Sequence, residues 1–320
     1  MTMFYWLSAA AITLSCFAIV ATLTSAAIAW ASPALMRRLE RYAPGPRAAL
    51  LFRLRMLPGM GAAVCAFAIA LPIFLRYEPA ETDETLARTL IVAAVLGGAL
   101  IGRGAWRAVA GLRATGVVSR DWRTRGRRLQ TIDAPIPVFA IEDAFPTVAV
   151  VGFSRPALFI AERVLRECTA DEVRAMILHE CAHVTYRDNL KRFFIRACPD
   201  VLRRGSALDR AWMSASEEAA DARAAGGDRG SALDLAQALI HVARLAPGSS
   251  TLHVASTFYL GGSIDSRVRR LVEPADSLPD PSQPLGCVVA CTMALGFAGL
   301  IVLAAPSIHQ FMEVAIRVLP

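Results

Sequence analysis

His179, Glu180 and His183 stand in the order His-Glu-x-x-His, inside the run Met176-Ile177-Leu178-His179-Glu180-Cys181-Ala182-His183-Val184. On a helix, residues four apart lie about one turn apart on the same face. Two imidazoles so placed can hold one zinc ion, Zn2+. The glutamate beside them can then take a proton from a water that the ion binds. The spacing therefore points to zinc-assisted hydrolysis, with His179 and His183 as metal ligands and Glu180 as general base. Met176, Ile177, Leu178 and Val184 enclose the motif in apolar side chains, which predicts a partly buried, dry site.

A catalytic zinc usually takes three protein ligands and leaves one position open. The best source of the third is Ser216-Glu217-Glu218-Ala219-Ala220-Asp221. On a helix, Glu217 and Asp221 share a face one turn apart. Glu217 is the expected ligand. Asp221 is expected to accept the N–H of a liganding imidazole and so fix its tautomer. Glu218 points about 100° away and is the alternative ligand.

These residues need elements to hold them. Thr169-Ala170-Asp171-Glu172 has capping-box spacing, which predicts a helix start. One helix is expected from residue 170 to about residue 198, ending at Pro199, with the motif in its middle. Residues 208–225, 231–245 and 263–272 read as three more helices; Gly226-Gly227 and Pro247-Gly248 stop the first two. Upstream, residues 137–141, 148–153 and 157–161 have strand character and are punctuated by Pro135, Pro137, Pro146 and Pro156.

The composition places this unit at a membrane. Of the 320 residues 55% are hydrophobic and only 19% charged, too apolar for an ordinary soluble domain of this size. The excess sits in uncharged runs. Residues 1–36 carry no charge, and residues 4–30 suffice to span a bilayer. The run lacks a basic start and is too long for a signal peptide. Residues 56–75 and 285–308 are further spans, and residues 89–102 form a shorter one that Arg88 and Arg103 can lengthen by snorkelling. The expected layout is three N-terminal transmembrane helices over 1–111, a polar domain over 112–284, a fourth span over 285–308 and a short tail over 309–320. Basic segments at 37–55 and 103–128 flank an acidic loop at 76–88. The positive-inside rule then puts the N-terminus outside and the polar domain in the cytoplasm, at the inner membrane.

The net charge of +7 is carried almost wholly by arginine, Lys191 being the only lysine. These arginines flank apolar runs, so topology accounts for them. With no zinc-finger spacing and no glycine-rich phosphate loop, nucleic acid is not an expected partner. The partners are the lipid bilayer and a protein or peptide substrate. The seven cysteines form no Cys-x-x-Cys pair and read as small apolar fillers.

Two stretches resemble the BlaR/MecR-type membrane zinc metallopeptidases. Val148-Ala149-Val150-Val151-Gly152-Phe153-Ser154-Arg155-Pro156-Ala157-Leu158-Phe159-Ile160 resembles the strand pair that precedes their active helix. His179-Glu180-Cys181-Ala182-His183-Val184-Thr185-Tyr186-Arg187-Asp188-Asn189-Leu190 resembles their motif with its following Arg-Asp-Asn-Leu. Glu217 to Asp221 looks like their downstream Glu-x-x-x-Asp, and the related HtpX-type proteases share the zinc core. The resemblance covers residues 135–225 and, loosely, the four-span layout. It implies a mostly α, α+β zincin-like (gluzincin) metalloprotease domain inserted between transmembrane helices, with a cytoplasm-facing site. The antibiotic-sensing members carry a large penicillin-binding domain after the last span. This chain ends soon after residue 308, so the resemblance implies a member lacking that sensor.

The expected activity is endopeptidase hydrolysis, in signalling or regulated proteolysis. The strand Leu158-Phe159-Ile160 is expected to pair with an extended substrate, and Arg267, Tyr259 and His253 are candidate transition-state or substrate contacts. Two rival functions remain distinct. One is a site-2-type protease that cuts within the bilayer, against which the motif segment carries Asp171, Glu172, Arg174, Arg187, Asp188, Lys191 and Arg192. The other is a signal transducer or scaffold with the same fold and no hydrolysis, against which His179, Glu180 and His183 are all intact.

Overall fold

The computed structural model describes residues 3–77, 88–202, 206–245 and 264–273. The fourth expected span, His253 and Tyr259 lie outside the described residues. The described chain is mostly helical, with one small mixed sheet.

Among the described residues, three helical segments are long and apolar enough to cross a membrane. The first is α1 (Met3–Leu39). The second runs from α2 (Pro44–Ala63) through a π-helical segment (Val64–Ala70) into α3 (Leu71–Tyr77). The third is α4 (Arg88–Arg125). At 1.5 Å per residue, the 38 residues of α4 extend about 57 Å, well beyond a hydrocarbon core of about 30 Å. The helix continues through residue 111, where the sequence pattern ends the membrane part, because arginine is a good helix former and no proline interrupts α4, whose Gly111 and Gly116 are tolerated. α1 and α4 approach closely at Gly97, where a Cβ would overlap the backbone carbonyl of Leu14. The hydroxyl of Ser15 donates across the same interface to the carbonyl of Leu90 at 2.9 Å.

α4 leads into the sheet. Its strands are β1 (Arg127–Arg128), β2 (Val138–Ile141), β3 (Val148–Val151) and β4 (Ala157–Ala161), in the order β1-β2-β4-β3. β2 and β4 are parallel, and the other two pairings are antiparallel. Side chains alternate between faces as the period of two requires. Val148, Val150, Leu158 and Ile160 pack against Met176 and Ile177, and Leu239 and Val242 close the same core. Ala157 and Phe159 face the other way, where Trp122 of α4 lies edge-on to Phe159 at 5.2 Å. β4 is thus apolar at every position because it is covered on both faces. The expectation that an extended substrate pairs with Leu158–Ile160 fails: β2 and β3 flank β4 on both sides, so it has no free edge. The outer strand nearest the motif is β3.

After β4 come α5 (Glu162–Glu167), α6 (Ala170–Thr185), α7 (Asp188–Ala197), α8 (Ala207–Ala225), α9 (Arg229–Leu245) and α10 (Ile264–Val272). The capping box forms at the start of α6: Thr169 Oγ1 accepts the Glu172 N–H and Glu172 Oε2 accepts the Thr169 N–H, at 3.3 and 2.7 Å. The single helix expected over 170–198 is instead two. Arg187 adopts φ 55° and ψ 38°, the left-handed conformation, and starts a new axis for α7. The motif-bearing domain is fastened to the long helices by Arg55, which is buried and ion-paired with both Asp200 and Asp209. Leu51 and Met56 of α2 share a core with Trp212 and Ala215 of α8.

Candidate metal centre

α6 and α8 lie side by side and bring three side chains to one point. His179 and His183, one turn apart on α6, are buried, with their Nε2 atoms 3.2 Å apart. Glu217 of α8 is fully buried; its Oε2 lies 3.4 Å from His179 Nε2 and its Oε1 3.6 Å from His183 Nε2. A tetrahedral zinc about 2.0–2.1 Å from each ligand atom separates those atoms by about 3.3 Å. The nitrogens are separated by 3.2 Å and lie 3.4 and 3.6 Å from the two different oxygens of Glu217, close to that value, so the three residues could hold one small cation. The donor set of two imidazoles and a carboxylate suits zinc.

The second nitrogen of each ring has its own carboxylate. His179 Nδ1 lies 2.9 Å from Asp221 Oδ1, and His183 Nδ1 lies 2.8 Å from Asp188 Oδ2. An ionised carboxylate only accepts, so with an ion bound each Nδ1 would carry the proton and each Nε2 would offer its lone pair to the common point. Asp221 is gripped in turn by Arg267 Nε and Nη2 at 2.8 and 2.6 Å. Asp188 also accepts from Ser216 Oγ at 2.8 Å and from Lys191 Nζ at 3.2 Å.

Asp188 can reach His183 only because of the break at Arg187. On a continuous helix, a residue five positions on points about 140° away. The left-handed residue swings α7 back so that Asp188 faces the imidazole. No glycine or asparagine announces this turn. The only sequence signal was the presence of Asp188 within the stretch that carried the family resemblance.

Opposed charges dominate the electrostatics. Burial works against a charged His183, yet Glu217, Asp188 and Glu180 outweigh it and push the imidazole up to about 10. His179 is raised as well: burial again opposes, and Asp221 and Glu217 prevail. Against the cost of burial, His183 and His179 hold Glu217 well below the usual carboxylate range. Asp221 is lowered by Arg267 and His179, again against burial. The pocket therefore favours positive charge at the point where the three ligand atoms meet. Arg192 Nη2 lies 3.0 Å from Glu217 Oε1, and Arg267 Nη1 lies 3.3 Å from Oε2. The latter contact lacks hydrogen-bond geometry, and Glu217 Oε2 has no hydrogen-bond partner among the described residues.

Glu180 is buried beside the ligands. Its Oε2 accepts the N–H of Val150 at 2.9 Å, which ties the motif helix to β3. Its Oε1 is buried with no hydrogen-bond partner among the described residues. Asn189 Nδ2 donates to the carbonyls of Val150 and Gly152 at 2.9 and 3.2 Å. A cavity of about 340 Å³ opens next to His183, walled by Phe153, Pro156, Val184 and Leu190.

Glu218, the alternative ligand, is turned away and engages Arg47, Arg270 and Ser214 Oγ. Arg267 comes to the centre, but its guanidinium is buried on Asp221 and Glu217 and holds the carboxylates. Sequence reasoning gave no such role to Asp188, Ser216 or Arg192. A second group, Cys168, Glu172 and His241, also places potential ligand atoms within reach of one another. No protein-family model matches the chain, and no curated protein matches it.

Proposed function

We propose that this chain is a membrane-anchored zinc endopeptidase that cleaves a cytoplasmic or membrane-associated protein. One observation carries the reading: two Nε2 atoms and a carboxylate converge at zinc-like spacing beside a buried glutamate oxygen that has no hydrogen-bond partner among the described residues.

His179, His183 and Glu217 would hold the ion. Zinc, when bound, polarises the scissile carbonyl and lowers the pKa of an attacking water. Asp221 and Asp188 keep the two rings in the tautomer that offers Nε2. Glu180 Oε1 accepts the proton of the water and delivers it to the leaving amine, so the carboxylate ends as it began. The Val150 N–H steadies the other oxygen of Glu180 during that exchange. The cavity beside His183 offers an apolar seat for a substrate side chain.

A gluzincin-type fold of the BlaR/MecR kind is supported by the order of elements: a small sheet, a helix bearing both histidines, then a helix bearing the glutamate. The basic inner ends of the candidate spans support a cytoplasmic site at the inner membrane, with the N-terminus outside. His179, His183 and Glu217 all lie outside the three candidate spans, which favours a membrane-adjacent site over cleavage within the bilayer. The test is Glu180→Gln in the full chain, assayed for zinc content and for cleavage of a mixed protein substrate. Zinc stays bound while cleavage falls about 10²–10⁴-fold. Cleavage undiminished in the variant removes Glu180 as the base. A wild type that binds zinc and cleaves nothing, with a variant that keeps the full cellular effect, overturns the peptidase reading in favour of a non-hydrolytic transducer.

A further inference from the structure

A separate cavity of about 530 Å³ lies where α2, α4, α7 and α8 meet. Four arginines line it: Arg55, Arg107, Arg192 and Arg196. Asp209 also lines it and is bound by Arg55 Nε at 2.6 Å. Arg55 is paired with Asp200 as well, and Arg192 with Glu217, so the cavity is ringed by guanidinium groups that already have protein partners. Trp212 lines it too and is only 2% exposed. Neither Trp212 Nε1 nor Arg192 Nε, both buried, has an acceptor among the described residues. Buried donors left without acceptors are costly. A pocket offering N–H groups and guanidinium charge suits an anion with several acceptor oxygens.

The position of the cavity narrows the choice. Arg55 immediately precedes the apolar run 56–75, and Arg107 follows the apolar run 89–102. Next to Arg107, Trp106 is 72% exposed. Tryptophan and arginine at the end of a span mark the level of lipid headgroups.

We propose that this cavity binds the phosphate group of an anionic ligand, either a headgroup of the adjoining leaflet or a free phosphate. The site rests on the membrane placement proposed above but not on zinc or on hydrolysis. Arg192 joins it to the metal centre, since its Nη2 holds Glu217 and the same residue lines the cavity.

The test uses the full chain taken from nanodiscs of phosphatidylcholine mixed with phosphatidylglycerol, with retained lipid counted by native mass spectrometry. A second arm titrates inorganic phosphate into the detergent-solubilised protein and follows tryptophan fluorescence. Wild type is expected to retain phosphatidylglycerol over phosphatidylcholine. Arg107→Gln with Arg196→Gln lowers that retention about tenfold or more, and Trp212→Phe, which keeps the ring and removes the N–H, lowers it several-fold. Phosphate binding that depends on the same residues, without lipid retention, identifies free phosphate as the ligand. The proposal is overturned if wild type neither prefers the anionic lipid nor binds phosphate. It is equally overturned if both sets of substitutions leave binding unchanged.

Discussion

Two clusters in this fold bring an imidazole and a glutamate within metal-ligand reach, and they differ in what their remaining atoms do. In Cys168–Glu172–His241, Glu172 Oε2 accepts the Thr169 N–H that starts α6, and both carboxylate oxygens lie 3.2–3.3 Å from His241 Nδ1. The His241 side chain is 34% exposed. Burial and the charges of Glu172 and Glu167 push the Cys168 thiol up to about 11, which keeps it protonated and a poor ligand. In His179–His183–Glu217 each ring is instead aligned by a dedicated carboxylate on the far nitrogen, and Glu217 is free of any capping duty. Donor type and proximity are common to both clusters. The difference lies in the partners behind the donors, which complete a helix start in one case and turn two imidazole Nε2 atoms and a carboxylate toward one spot in the other.

That comparison breaks most sharply on removal of a ligand. Glu217→Ala or His183→Ala is expected to abolish bound zinc in the purified protein, whereas Cys168→Ser and His241→Ala leave its zinc content unchanged, as metal analysis would show. A pH titration gives the next largest effect. In the metal-free protein the His183 proton is held up to about pH 10, so below that pH zinc must displace it. Affinity should therefore fall as pH falls, about tenfold per unit for each proton displaced, or about 100-fold from pH 8 to pH 6. A competition assay with a chelator of known pH dependence would read this, and a flat profile would contradict it.

Asp188→Asn sharpens the role of the carboxylates behind the rings. Loss of its charge frees the His183 tautomer and is expected to weaken zinc by about 10–100-fold with the fold intact. The smallest effect belongs to the other cluster. Thr169→Ala removes the cap of α6 and should lower stability by about 1 kcal/mol, seen in denaturant melts, without altering zinc stoichiometry.

Legibility in the sequence followed the distance over which each feature is decided. The pairs His179–His183 and Glu217–Asp221 were readable because helix periodicity converts a spacing of four directly into a shared face. The capping box at Thr169 and the stop at Gly226 are equally local, and so are the apolar runs of the three described candidate spans. Asp188 was not readable as a partner of His183, because its placement depends on Arg187 taking a left-handed conformation that side chains of its kind rarely adopt. The interior position of β4 was hidden as well. It arises from parallel pairing with β2, which leaves the intervening β3 at the outside, and no local pattern records that order. Arg267 meets Asp221 across 46 residues of chain, so only the packing of α10 could show that its charge fastens a carboxylate.

The most direct test is zinc-edge X-ray absorption on the purified full chain loaded with one equivalent of zinc. A centre of His179, His183 and Glu217 predicts a shell of nitrogen and oxygen at about 2.0–2.2 Å, with imidazole scattering and no sulfur. A sulfur scatterer at about 2.3 Å would put a cysteine in the shell and contradict the account, as would a protein that binds no zinc at all.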